Sequence, residues 1–218
     1  MSALQRGLQL GLSRPHAAIL AKLSTPERAQ DFVSGLKTNF ELDGATCLSV
    51  AGVLRERHAH CIEAAYVAAC ALWVHGQAPL VMDMQAQGDD DHVITLFQRD
   101  GCWGAISKSN HVWLRWRDPI YRSLRELAVS YFHEYTNEDR KTLRRYSRAI
   151  DLRRFKPKHW ITNDDNCWHV GAAIDDARHY ALLTPAQARR LRRRDAMELR
   201  AGNLVETTAP NKKLAAKY

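Results

Sequence analysis

Between Cys61 and Val74 the chain reads CIEAAYVAACALWV, a stretch whose apolar side chains would cover every side of an α-helix and leave almost no face for water. A helix of this kind has to lie inside a folded body, so other segments must form layers around it. Gly76 stands just past its end as a stop, and Pro79 follows. The stretch is too short to span a bilayer, and no run of roughly 18 apolar residues occurs elsewhere, so no membrane partner is expected. With 218 residues, 45% hydrophobic and 26% charged, the chain can bury one globular core and carry an extension.

The segments around this helix supply the layers. Ser24-Thr25-Pro26-Glu27 is a helix start, with a hydroxyl at the N-cap, Pro at the first helical position and an acid in the first turn. Ala29, Phe32, Val33 and Leu36 continue it at helical spacing to an end between Leu36 and Asn39, and Ser49, Val50, Val53 and Leu54 offer another helical turn. After the apolar helix, 79–85 (PLVMDMQ) and 92–98 (HVITLFQ) read as strands, and Arg99-Asp100-Gly101 turns tightly into a third strand over 102–107. Leu124, Leu127, Ala128, Tyr131 and Phe132 predict a helix over 121–135. Past Lys141 the hydrophobic period weakens, and strand-like pieces are expected near Trp160-Ile161, over 168–174 and over 179–183, before a helix capped at Thr184-Pro185. The expected organisation is an N-terminal arm or helix over 1–25, an α+β domain over 26–139 with the buried helix packed on an antiparallel sheet, and a basic extension over 140–218 packed on the core, with a loose tail from about 210.

The 32 Lys and Arg outnumber 24 Asp and Glu, giving a net charge of +8, and the excess falls in two runs at 140–158 and 189–194. Such runs suit an acidic partner or nucleic acid, but interleaved aromatics are few (Tyr146, Phe155, Trp160). Leu191, Met197 and Leu199 instead fit a solvated basic helix resting on the core. Five cysteines, an odd number with no CxxC pair, point to free thiols in a reducing compartment. Residues 1–24 lack a secretory apolar region, so a cytoplasmic location is expected, although Arg6, Arg14 and Lys22 without an acid before Glu27 also suit an organelle transit peptide.

Cys61 stands where a polar segment meets the apolar helix. The unpaired amides and positive dipole end of a helix start favour a thiolate there, which turns a thiol into a nucleophile. His92 opens the next strand but one, where an imidazole can lean over the helix start and pair with the sulfur. Asp89-Asp90-Asp91 just before it reads as a solvated turn that also adds negative charge beside the imidazole.

This ordered set, with Arg57-His58-Ala59-His60-Cys61, the run from Ile62 to Gly76, Asp91-His92-Val93-Ile94-Thr95-Leu96 and Gly101-Cys102-Trp103, resembles the transglutaminase-like (papain-like) superfamily, in a bacterial branch, over about half of the chain. The resemblance implies a papain/transglutaminase-like core with a Cys, a His and an Asp in the site. The Asp belongs four residues after the strand's Trp, where this chain has Ser107, which reads as a structural hydroxyl. Asn110, as an amide acceptor, and Asp118, as a carboxylate on a loop that folds back, are the candidates to orient His92.

The chemistry expected is acyl transfer or hydrolysis of a protein or peptide amide through a Cys61 thioester, with His92 as base and then acid. The oxyanion would sit on the Cys61 amide and a donor such as Thr46 or Ser49. The alternative is a non-catalytic module that keeps this fold and uses the basic region for an acidic partner or nucleic acid. His58, His60, Cys61 and His92 lack the paired spacing of a zinc site, so neither metal nor cofactor is expected.

Overall fold

The computed structural model describes residues 1–208; the tail expected from about 210 lies outside the described residues. Cys61–Val74 is one α-helix with the predicted bounds, and every side chain from Glu63 to Val74 except Trp73 is buried. It stops as expected. The amide of Gly76, at φ 93°, bonds to Trp73, and the amide of Gln77 bonds to Leu72.

The fold is α+β, with a mostly antiparallel sheet and several helices. Across the main sheet the strands run His179–Ala181, Leu143–Ser147, Leu80–Ala86, His92–Arg99, Cys102–Ile106 and Arg117–Tyr121, and Ile150–Asp151 also pairs with Leu80–Ala86. All these pairings are antiparallel. His92–Arg99 and Cys102–Ile106 form the predicted hairpin, with Asp100 and Gly101 both at positive φ in its two-residue turn.

Strand alternation divides the core between the two faces of the sheet. Val81, Val93 and Phe97 face the central helix, while Met82, Met84, Ile94 and Leu96 face Leu127, Tyr131, Tyr135 and Leu143. The Thr95 hydroxyl ties the sheet to the helix, donating 2.8 Å to the Ala65 carbonyl. Helices Ala3–Gln9, Arg14–Lys22, Pro26–Ser34 and Val50–Glu56 cover the central helix, and the helix capped by Thr25 ends at Ser34, slightly before the expected limit.

Several expectations give way to the tertiary structure. The helix predicted over 121–135 is confined to Leu124–Val129, because Arg117–Tyr121 is recruited as a strand and the chain after Ser130 tightens into turns. Pro119 is tolerated there because this strand lies at the sheet edge. Trp168–Asp175 is a helix and not a strand; its Val170, Gly171 and Ile174 face the core at helical spacing. The segment at Trp160-Ile161 is likewise no strand. Its carbonyls accept the Val50 and Ala51 amides at the start of Val50–Glu56, and the buried Trp160 ring stacks on Trp73 at 6.0 Å. The basic region after 140 contributes three strands to the main sheet, so part of its packing is integral to the core.

Candidate active site

A short parallel pairing of Lys37–Thr38 with His58–Ala59 draws the loop after Thr38 against the start of the central helix. Glu63, in that helix's first turn and fully buried, is the hub of the junction. Its carboxylate accepts from the His60 amide at 3.0 Å, the Leu48 amide at 2.9 Å, the Thr46 hydroxyl at 2.7 Å and the Asn39 side-chain amide at 3.1 Å, and lies 3.3 Å from His60 Nε2. Burial pushes the Glu63 carboxyl up, but His60 and these donors outweigh it and hold it at about 2.

Cys61 opens the helix, its sulfur 3.9 Å from the Asp91 carbonyl oxygen, and it shares one cleft with the His60 and His92 imidazoles, which act on it electrostatically. Burial opposes the thiolate, yet the hydrogen bonds and charge of the two imidazoles prevail and bring the thiol from its usual 9.0 down to about 5. His60 responds in the opposite sense: burial opposes its charge, but the Cys61 sulfur and Glu63 raise it well above the ordinary imidazole range.

Both rings are oriented by carbonyls, which only accept. His60 Nε2 lies 3.0 Å from the Thr46 carbonyl, and His92 Nε2 lies 3.2 Å from the Leu114 carbonyl and 2.6 Å from the Ser107 hydroxyl. Each Nε2 therefore carries a proton toward its carbonyl. Tyr135 packs edge-on against His92 and donates its hydroxyl to the Asp90 carbonyl, steadying the strand entry.

The structure thus brings Cys61 and His92 together and places neither Asn110 nor Asp118 as the partner of His92. Both side-chain ends of Asn110 pair with the backbone of Thr207 at 2.9 Å, and Asp118 accepts the Trp116 indole N–H at 2.9 Å. Ser107, the hydroxyl at the position where the resemblance puts an Asp, holds the ring instead: its strand ends with the side chain buried against His92. The proposed oxyanion side chains are also committed, Thr46 to Glu63 and Ser49 to the Asn163 carbonyl. The Cys61 and Ile62 amides, which have no intrahelical acceptors, remain as donors.

Sequence reasoning missed the roles of His60 and Glu63. Glu63 is the one charged residue in the apolar helix and stands three residues after His60, the spacing of a capping pair, and that was the available signal. Behind the site the sheet buries a second carboxylate, Asp83, whose Oδ2 lies 2.9 Å from His179 Nε2. Burial first, then Asp91 and Asp175, raise Asp83, while burial lowers His179, whose Nδ1 is 2.6 Å from the Ala177 carbonyl. Burial thus disfavours the charged form of both partners in this hydrogen-bonded pair.

Cys61, His60 and His92 open onto a cleft of about 210 Å³ whose wall includes Asn39, the Asp89–Asp91 turn, Asn110, His111 and Leu114. Among the described residues no group of three or more His, Cys, Asp or Glu is arranged to hold a metal ion, and no helix is long and apolar enough to cross a membrane. No family model matches the chain, and no curated protein aligns with it significantly.

Proposed function

We propose that the chain is a thiol-dependent acyl transferase or hydrolase acting on a protein or peptide amide, built on a transglutaminase-like (papain-like) core. The observation that carries this reading is the Cys61 thiol at a helix start, on one cleft with two imidazoles that are each held by a backbone carbonyl, a setting that favours the thiolate. The order of buried helix, strand, His-led strand and a third strand followed directly by Ser107 fits such a core.

In the reaction, the Cys61 thiolate attacks the amide carbonyl carbon, and the first-turn amides stabilise the oxyanion. His92, protonated on Nδ1 in the ion pair, gives that proton to the departing amine as the C–N bond breaks. A thioester remains. Water or an amine then attacks it, His92 takes the proton of the incoming nucleophile, and the thiolate leaves. His60, held by Glu63 and Thr46, positions charge beside the sulfur throughout.

The test is alkylation of the native protein with iodoacetamide at pH 6, read by peptide mass spectrometry. At that pH a thiol of pKa about 5 is mostly thiolate and an unperturbed thiol about 1% or less. Cys61 should be modified first and by a wide margin over Cys102, which is also partly accessible. Equal rates would remove the basis for a nucleophile.

A second reading, a non-catalytic binding module, is favoured by one observation. Arg140, Lys141 and Arg144 meet Arg189, Arg192 and Arg193 around a groove in which Asp139 is the one acid. Ion pairs of Arg193 with Asp139 and of Arg192 with Asp195 and Glu198 neutralise part of that charge. Unselective alkylation together with steeply salt-dependent oligonucleotide binding would favour this module.

A further inference from the structure

The segment Val205–Thr207 pairs with Asn110 and His111, two residues of the cleft wall, in the way a bound peptide would. Val205 pairs with His111 as an antiparallel bridge, and the Glu206 amide donates 3.0 Å to the Asn110 carbonyl. The Asn110 side chain donates 2.9 Å to the Thr207 carbonyl and accepts the Thr207 amide at 2.9 Å. These contacts read main chain and would accept any extended segment. One contact reads a side chain: the Arg115 guanidinium, fixed by its Nε donating 2.8 Å to the Ser109 carbonyl, pairs with the Glu206 carboxylate at 2.6 Å.

Little apolar burial secures the occupant. Leu204 is 58% exposed, and the preceding helix Ala196–Gly202 buries no residue. Polar contacts of this kind exchange readily with those of a competing peptide. The strip also starts just after one anchor of the candidate base, the Ser107 hydroxyl, and contains the other, the Leu114 carbonyl. Asn110 and His111 line the same cleft as Cys61 and His92.

We propose that residues 109–115 form a docking strip for an extended peptide bearing a carboxylate side chain opposite Arg115, and that Val205–Thr207 is an intramolecular occupant which such a peptide displaces. This names the substrate class of the proposed acyl transfer and rests on that reading, while the docking itself is measurable without turnover. Tethering gives the occupant an effective concentration of about millimolar, so an external peptide meets competition until the tethered copy is weakened.

The experiment uses the full chain carrying Cys61→Ala and a fluorescent peptide Asn-Leu-Val-Glu-Thr-Thr, followed by anisotropy. Glu206→Arg, at an exposed position, turns the Arg115 contact repulsive and should tighten peptide binding about threefold to tenfold. Arg115→Glu should abolish binding of this peptide and restore it for the version with Lys in place of Glu. Binding that is undetectable with Glu206→Arg, equal with and without that change, or indifferent to the charge swap overturns the proposal. If the peptide docks as expected while Cys61 in the unaltered chain proves unreactive, the acyl-transfer reading fails and the docking strip stands.

Discussion

Replacing Glu63 with Gln tests the electrostatic account at its hub. The carboxyl sits at about 2 in the folded protein against an ordinary 4.5, a difference that corresponds to roughly 3 kcal/mol of folding stability. Because the folded value is depressed, this stability is fully present above pH 4.5 and fades as the pH falls from there toward 2. Gln keeps one acceptor but turns an NH2 group toward amides and an imidazole that donate, so at pH 7 Glu63→Gln should lose about 3 kcal/mol, seen as a guanidinium midpoint lower by about 0.5–1 M. The deficit should shrink progressively below pH 4.5, where the unaltered protein loses the same term. The change also weakens the hold on the charged His60 ring, so the inflection of iodoacetamide labelling at Cys61 should move up from about 5. An unchanged midpoint at pH 7 together with an unchanged labelling inflection would refute the assigned role of this carboxylate.

Ser107→Ala removes the 2.6 Å partner of His92 but leaves the Leu114 carbonyl, so Cys61 alkylation near neutral pH should slow severalfold, whereas Asp118→Asn should leave the rate unaltered; the reverse ranking would return the orienting role to Asp118. At Gly104 a Cβ would fall 2.4 Å from Phe97 Cζ and 2.9 Å from the Arg117 carbonyl oxygen, and Gly104→Ala should therefore cost about 1–3 kcal/mol in thermal or denaturant unfolding, with no change in the Cys61 labelling inflection.

The parts of the fold that were legible are those where a local signal and tertiary packing agree. The central helix has no solvent face to reassign, and Gly76 ends it chemically, so its bounds were readable to the residue. The Asp100-Gly101 turn fixed the hairpin register in the same way. Packing overrides pattern here: Tyr131 and Tyr135 keep helical spacing with Leu127, yet Tyr131 sits in a turn and Tyr135 in the link to the next strand, because burial against the sheet matters more than continuing the helix. In the site, Cys61 and His92 were found because each begins an element. His60 and Glu63 escaped notice because their roles depend on a loop from Asn39 to Leu48 that no periodicity predicts. Ser107 was undervalued because a hydroxyl is a poor substitute for a carboxylate in the abstract, whereas its burial at 2.6 Å from the ring depends on where the strand ends.

The two carbonyls that set the imidazoles belong to Thr46 and Leu114, on opposite sides of the central helix in the sequence. Neither can act until its own loop has closed on the helix start, so a partly made or partly unfolded chain carries Cys61 as an ordinary thiol with an ordinary 9.0 value. The reactivity proposed for this sulfur is therefore a property of the completed fold. On the proposed reading, local opening of either loop would return the thiol to its ordinary state before global unfolding is reached.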